Sequence, residues 1–246
     1  MPIKREFGTI YIRNQPVPLY KQYYRYKNKP ELTLGNTVEG MSIEWIEVNG
    51  LYISTKTIVK SVTWLDLDRN SLIFGKEVNI DGRRYLARVI KDGSSAHDGD
   101  EWGEILDACK DDDAIWHWDS ISFWCQGHDP THDNRKTVRG GTSARSRCSL
   151  SADVRLTELG WRPVLEPLGM QDISALLGSY VVARHNGSTV YGLLETATDY
   201  ELILTHAKIQ SFGGDFAMFV QNQPDGSVII DREMADSVCP GKLEYQ

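Results

Sequence analysis

Dipeptides that demand a tight chain reversal recur along this sequence: Asn49-Gly50, Asp81-Gly82, Asn186-Gly187 and Asp225-Gly226. A two-residue hairpin loop puts both central residues at positive φ, which Gly adopts freely and Asn or Asp tolerates. Residues 42–48 and 51–57, rich in β-branched and aromatic side chains, flank the first pair, and residues 71–80 and 83–90 flank the second. Antiparallel hairpins are therefore the expected unit, with a further early strand at 9–13.

In the run RRYLARVI at 83–90, alternation allows Arg88 to point inward. A buried arginine needs a carboxylate or several carbonyls, and the carboxylates next in sequence are Asp92, Asp98 and Asp100. The loop at 92–100 is polar and Gly-rich but lacks the EF-hand spacing, so it reads as a helix-capping loop, with calcium the alternative. The helix it caps is 101–110, where Trp102, Ile105, Leu106 and Cys109 share a face.

Trp116, Trp118, Phe123 and Trp124 crowd a short stretch and read as core, while outward-facing rings there would make a stacking shelf for a sugar or base. His128, Asp129, His132 and Asp133 surround Pro130, a solvated turn or a transition-metal site. The run LYKQYYRY at 19–26 reads as an amphipathic face or subunit contact, with a nucleic-acid stacking surface the alternative. Residues 134–166 join the charged turn Arg139-Gly140-Gly141 to the apolar close Trp161-Arg162-Pro163 through a polar middle, as expected of a surface loop clamped between core segments.

A chain of 246 residues with 41% hydrophobic side chains can bury a sizeable core in one large or two moderate domains. Its net charge of -7 opposes general nucleic-acid binding, which needs clustered cations. Cys109, Cys125, Cys148 and Cys239 form no CxxC pair and are expected to be reduced thiols, with neither metal nor other cofactor implied. No apolar run approaches the ~20 residues that cross a bilayer, so no membrane insertion is expected. With no signal-peptide pattern at the start, synthesis and residence in the cytoplasm are expected, or incorporation into a virion.

RVIKDGSS, GDEWGEIL, the tryptophan cluster, VRGG and GWRPVLE occur here in that order. Together they resemble the formylglycine-generating-enzyme-like branch of the C-type-lectin fold, and most closely the phage and prophage proteins of Firmicutes that end in GWRPVL. The resemblance covers about residues 63–167. It implies an α+β domain with an irregular mixed β-sheet, one or two helices and a variable ligand-binding surface. The residues implied for that surface are Trp116, Trp118, Trp124, Ser143, Arg145, Arg147, Ser149, Asp153 and Arg155. Arg139, Gly140, Gly141, Trp161 and Arg162 are implied to be structural. The enzymes of this family carry a second cysteine five residues before the one matched by Cys148, where this chain has Ser143. Losing one of two soft thiolate ligands removes the copper site, so no enzyme activity is expected.

The expected organisation is a β-rich segment at 1–60, the C-type-lectin-like domain at 61–167, a linker at 168–174 and a small β-barrel with an exposed tail at 175–246. In the last part, strands broken at Asn186-Gly187 and at 196–199, with a bend at Gly192, resemble an SH3- or Sm-like barrel, and 212–219 and 227–231 supply further strands. The expected function is a non-enzymatic ligand-binding protein of phage or prophage origin. It would display its surface on a homo-oligomeric virion or tail assembly, toward a cell-surface glycan or protein. The alternative is an intracellular phage inhibitor that captures a host defence protein or a nucleotide signal, with arginines as a phosphate clamp.

Overall fold

A computed structural model of the chain describes residues 4–23, 28–92, 100–170, 173–198, 200–210 and 216–241. With 52% strand against 12% helix, the protein is mostly β, and its few helices are short. Contacts divide it into two compact units, Met1–Glu166 and Pro167–Gln246.

Three of the four turn dipeptides act as their chemistry dictates, while at Asp225-Gly226 only Gly226, at φ 83°, is left-handed. Asn49 and Gly50 sit at φ 49° and 71°, Asp81 and Gly82 at 52° and 80°, and Asn186 and Gly187 at 45° and 80°. Both central residues are left-handed in each case, the conformation that matches strand twist.

In the first unit, one six-stranded sheet runs Lys4–Phe7, Ile43–Val48, Leu51–Ser54, Val164–Pro167, Arg83–Arg88, Lys76–Ile80. A second six-stranded sheet runs Arg147–Ser151, His132–Gly140, Ser122–Asp129, Leu159–Trp161, Val59–Lys60, Lys21–Gln22. It mixes directions, because Ser122–Asp129 pairs parallel with Leu159–Trp161 and antiparallel with His132–Gly140. A three-stranded sheet of Gln15–Val17, Thr9–Ile12 and Leu32–Gly35 completes the unit. The N-terminal β-rich segment shares the core of the stretch that follows it: Ile10, Ile12 and Trp45 pack in one cluster with Trp64, Trp124 and Leu165. The contacts show no break at residue 60, because apolar faces on both sides of it are buried together.

Helix Trp64–Arg69 begins at a capping box in which Thr63 and Asp66 satisfy each other's backbone amides. Helix Glu101–Cys109 is capped by Asp100, whose Oδ1 accepts from the Gly103 amide at 2.8 Å. It buries Trp102, Ile105 and Leu106 and stops at Lys110, where φ reaches 66°. Residues 93–99 of the loop before it, including Asp98, lie outside the described residues.

Arg88 does turn inward, but its partners differ from the expected ones. It donates to both oxygens of Glu101 at 2.8 and 2.7 Å and to Glu166 at 3.3 Å. Asp92 and Asp100 pair with Arg139 instead. Burial opposes the charge on Glu101, yet the Arg88 guanidinium outweighs it and holds that carboxyl below its ordinary value.

The second unit is one seven-stranded sheet in the order Gly169–Met170, Ser237–Pro240, Tyr180–His185, Ser188–Ala197, Glu201–Gln210, Val228–Asp231, Val220–Asn222. A register shift between Tyr191 and Leu193 marks Gly192, where a Cβ would lie 2.8 Å from the Leu204 Cβ. Several expectations change in this unit. The 168–174 stretch supplies the strand Gly169–Met170 and enters the 3-10 turn Ile173–Leu176, whose Ile173 and Leu176 are buried. Phe216–Phe219 is a helical turn rather than a strand, and 211–215 lie outside the described residues. Cys239 and Pro240 end a strand within the sheet, with Val238 and Cys239 buried, so the apolar Val-Cys pair overrides the tail-like composition around it.

Candidate functional site

The site grows from the turn between His132–Gly140 and the edge strand Arg147–Ser151. Gly140 and Gly141 take φ of 84° and 93°, and a Cβ at Gly140 would meet the Ile121 carbonyl oxygen at 2.7 Å. Only glycine fits the backbone that close, so the chain leaves the sheet here and a turn follows.

The turn is tied down from the protein side. Trp102 Nε1 donates to the Ala144 carbonyl at 2.7 Å, Arg139 Nη1 to the Arg145 carbonyl at 3.3 Å, and the Gly141 amide to the Trp118 carbonyl at 3.0 Å. Ala144 is buried, whereas Thr142, Ser143 and Arg145 are exposed. The Ser146 hydroxyl lies 2.6 Å from Thr142 Oγ1 and 2.9 Å from Ser143 Oγ. Arg145 Nη2 donates to Asp107 at 2.6 Å and its Nε to Asp111 at 3.4 Å, while Trp118 Nε1 donates to the Asp111 carbonyl at 3.1 Å. Trp118, Arg145 and the hydroxyl cluster thus form one polar patch on a fixed backbone.

Along the edge strand, Arg147 and Ser149 share a sheet face, with Cys148 on the other. Arg147 lies 3.5 Å from Asp92, and the Ser149 hydroxyl donates to Asp129 at 3.0 Å. Asp129 also accepts from the Thr131 hydroxyl at 2.6 Å and the Thr131 amide at 2.9 Å. Those bonds, Thr131's before Ser149's, bring its carboxyl down to about 2.

Two buried arginines brace this surface. Arg139 donates to both oxygens of Asp92, at 2.7 and 3.2 Å, and pairs with Asp100 at 2.8 Å. Burial pushes the Asp92 carboxyl up, against the opposing pull of Arg139 and Arg147. Arg162 is fully buried and donates to the carbonyls of Ser54, Thr55, Trp116 and His117, lying 5.2 Å over the Trp102 ring and 4.7 Å over the Phe123 ring. Burial draws its guanidinium down to about 9, which still leaves it charged at neutral pH.

The expected ligand residues therefore separate. Trp116 and Trp124 are 0% exposed, their indole N–H groups bonded to the Lys110 and Val62 carbonyls, so neither ring can stack on a ligand. Arg155 is locked to the Ser61 carbonyl and the buried Asp66, both at 2.6 Å, and acts as a strut. Asp153 accepts from Ser151 at 2.7 Å, away from the turn in sequence. Trp118, Ser143 and Arg145 are brought together, and Arg147 and Ser149 lie along the adjoining strand. Arg139 and Arg162 brace the backbone, Gly140 and Gly141 shape the turn, and Trp161 is buried. Asp107, Asp111, Thr142 and Ser146 join the site without having been expected there; Asp107 is on the exposed side of its helix and Asp111 lies just past the helix end.

Cys148 is exposed on its strand, and partial burial pushes its thiol above the ordinary value, which disfavours the reactive thiolate. None of the four cysteines is in a disulfide. Among the described residues, no three His, Cys, Asp or Glu side chains converge as a metal site. In the 19–26 run, Tyr23 is buried with its hydroxyl on the Pro30 carbonyl, and 24–26 lie outside the described residues. Among the described residues, no helix is long and apolar enough to cross a membrane. Compared with protein-family models, curated proteins and solved structures, the chain matches none.

Proposed function

We propose that this chain is a non-enzymatic ligand-binding protein of phage or prophage origin, with a C-type-lectin-like recognition surface carried on a homo-oligomeric virion or tail assembly. The recognition surface is the turn from Thr142 to Ser146 with Trp118, Arg145 and the neighbouring Arg147 and Ser149. One observation carries this reading: the backbone of the turn is pinned by Trp102 and Arg139 while its hydroxyls and Arg145 remain on the outside. A polar surface fixed before the ligand arrives loses little entropy on binding. Alternating hydroxyl, carboxylate and guanidinium groups beside a half-buried indole suit a glycan or a polar protein epitope.

The inhibitor reading, with these arginines as a phosphate clamp, gains no support. Arg145 and Arg147 already face Asp107, Asp111 and Asp92, which repel an incoming phosphate.

The test is a glycan and cell-surface protein array probed with the intact protein, followed by host adsorption with the Arg145→Glu/Arg147→Glu variant. Binding to the array, lost in the variant together with adsorption, is expected. No array ligand and unchanged adsorption would overturn the reading.

A further inference from the structure

We infer that the second unit carries a docking site for an arginine side chain of a partner polypeptide, in a pocket beside the edge of its sheet. Glu201 and Asp231 stand directly opposite each other on antiparallel strands. Their side chains leave the same face with Cβ atoms about 5 Å apart, an arrangement that destabilises a sheet when the charges are alike. Glu233 lines the same pocket. Among the described residues, no cation pairs with any of the three carboxylates. Arg232, between two of them in sequence, sends its guanidinium to the Thr198 carbonyl instead.

Apart from Gln221, the remaining walls are apolar or aromatic. Tyr200, Met218 and Ile229 surround a volume of about 310 Å³, enough for one large side chain. Tyr200 is 72% and Met218 69% exposed, so both can meet an incoming side chain. A guanidinium fits this set better than an ammonium does. Its planar face stacks on a ring and its fork can bond two carboxylates at once, whereas an ammonium is a compact, strongly hydrated point charge.

The sheet edge argues for a polypeptide as the source. Among the described residues the sheet ends at Val220–Asn222, and Gln221 of that strand lines the pocket. An extended segment added to this edge would send alternate side chains over the carboxylate-bearing face.

The experiment titrates the full-length protein, labelled at its methionine methyls, with acetyl-Gly-Arg-Gly-amide. A saturable shift of the Met218 methyl is expected, weakening as salt rises. The Glu201→Gln/Asp231→Asn variant should bind at least about tenfold more weakly and melt at a higher temperature than the parent, because the like-charge pair is gone. Asn at 231 keeps the oxygen that accepts from the Glu233 and Met234 amides, so the turn survives. The inference fails if Met218 does not shift, if the alanine tripeptide shifts it equally, or if the double variant binds as well as the parent. Tighter binding of free spermidine than of the arginine peptide would also overturn it, by assigning the pocket to small cations.

Discussion

Arg139 and Asp92 face each other as a two-pronged pair, Nε to Oδ2 at 2.7 Å and Nη2 to Oδ1 at 3.2 Å, with their side chains only 7% and 2% exposed. The pair bridges 47 residues of sequence. The same guanidinium holds the Arg145 carbonyl, so the core brace and the surface turn are one construction.

Removing one member of such a pair leaves the other buried without its counter-charge. Asp92→Asn is expected to destabilise the first unit by about 3 kcal/mol, the low end of what a broken buried pair costs, because Asp100 still faces Arg139. Urea denaturation measures this. A loss under about 1 kcal/mol would show that the pair is dispensable. Replacing both residues together, as Asp92→Leu/Arg139→Met, should recover part of the loss, since no unpaired charge then remains.

Glycines mark where backbone meets backbone. A Cβ at Gly160 would lie 2.0 Å from the Val59 carbonyl oxygen and 2.6 Å from Thr57 Cγ2, inside the sheet. Neither neighbour can retreat without breaking the Val59–Lys60 pairing, so Gly160→Ala is expected to cost more than about 4 kcal/mol and to appear as lost soluble yield. Gly82→Ala meets nothing within 4 Å and is strained only by its φ of +80°, so it should cost about 1 kcal/mol. Comparing the soluble yields of the two variants separates crowding from backbone strain, since Gly82→Ala should be recovered at close to the parent's yield.

What could be read from the sequence follows from how local each cause is. Asn49-Gly50 and Asp81-Gly82 announce their hairpins because the turn conformation depends on those residues alone. The helix at Glu101–Cys109 was legible for the same reason, its cap and apolar face lying within one segment. Arg88 could be seen to need a carboxylate, but its two-pronged partner Glu101 stands beside the equally charged Asp100 in sequence and its second partner, Glu166, lies 78 residues away, so only the packed sheet and helix decide between the candidates. Arg155, a surface candidate by composition, is consumed by Asp66 across 89 residues. Trp116, Trp118 and Trp124 are alike as residue types. Only the sheet and helix packing decides that two are core and one is half-exposed.

Surface and core candidates of the site should separate in stability measurements. Ser143→Ala and Arg145→Gln remove exposed hydroxyl and ion-pair contacts and are expected to change unfolding free energy by no more than about 0.5 kcal/mol. Trp124→Ala empties a fully buried site and should cost about 3–5 kcal/mol. Equal losses in the two groups would mean that the turn belongs to the folding core and is not a surface free to recognise a ligand.

Asp129 supplies the pH test. Hydrogen bonds from Thr131 and Ser149 favour its ionised form and bring its carboxyl to about 2, below the roughly 3.9 of an unfolded aspartate. Because the folded value is the lower one, the contribution is complete above about pH 4 and is lost as pH falls through 2. Asp66 and Asp225 are also held below the ordinary carboxylate value by their hydrogen bonds and lose charge as pH falls, so the measurement must be site-specific. Following the Asp129 side-chain carbonyl by NMR should give a midpoint near 2, and the Thr131 amide resonance should move with it. A midpoint near 4 would mean that the Thr131 and Ser149 bonds do not persist in solution, and the edge strand would then lose its link to the Asp129–His132 turn.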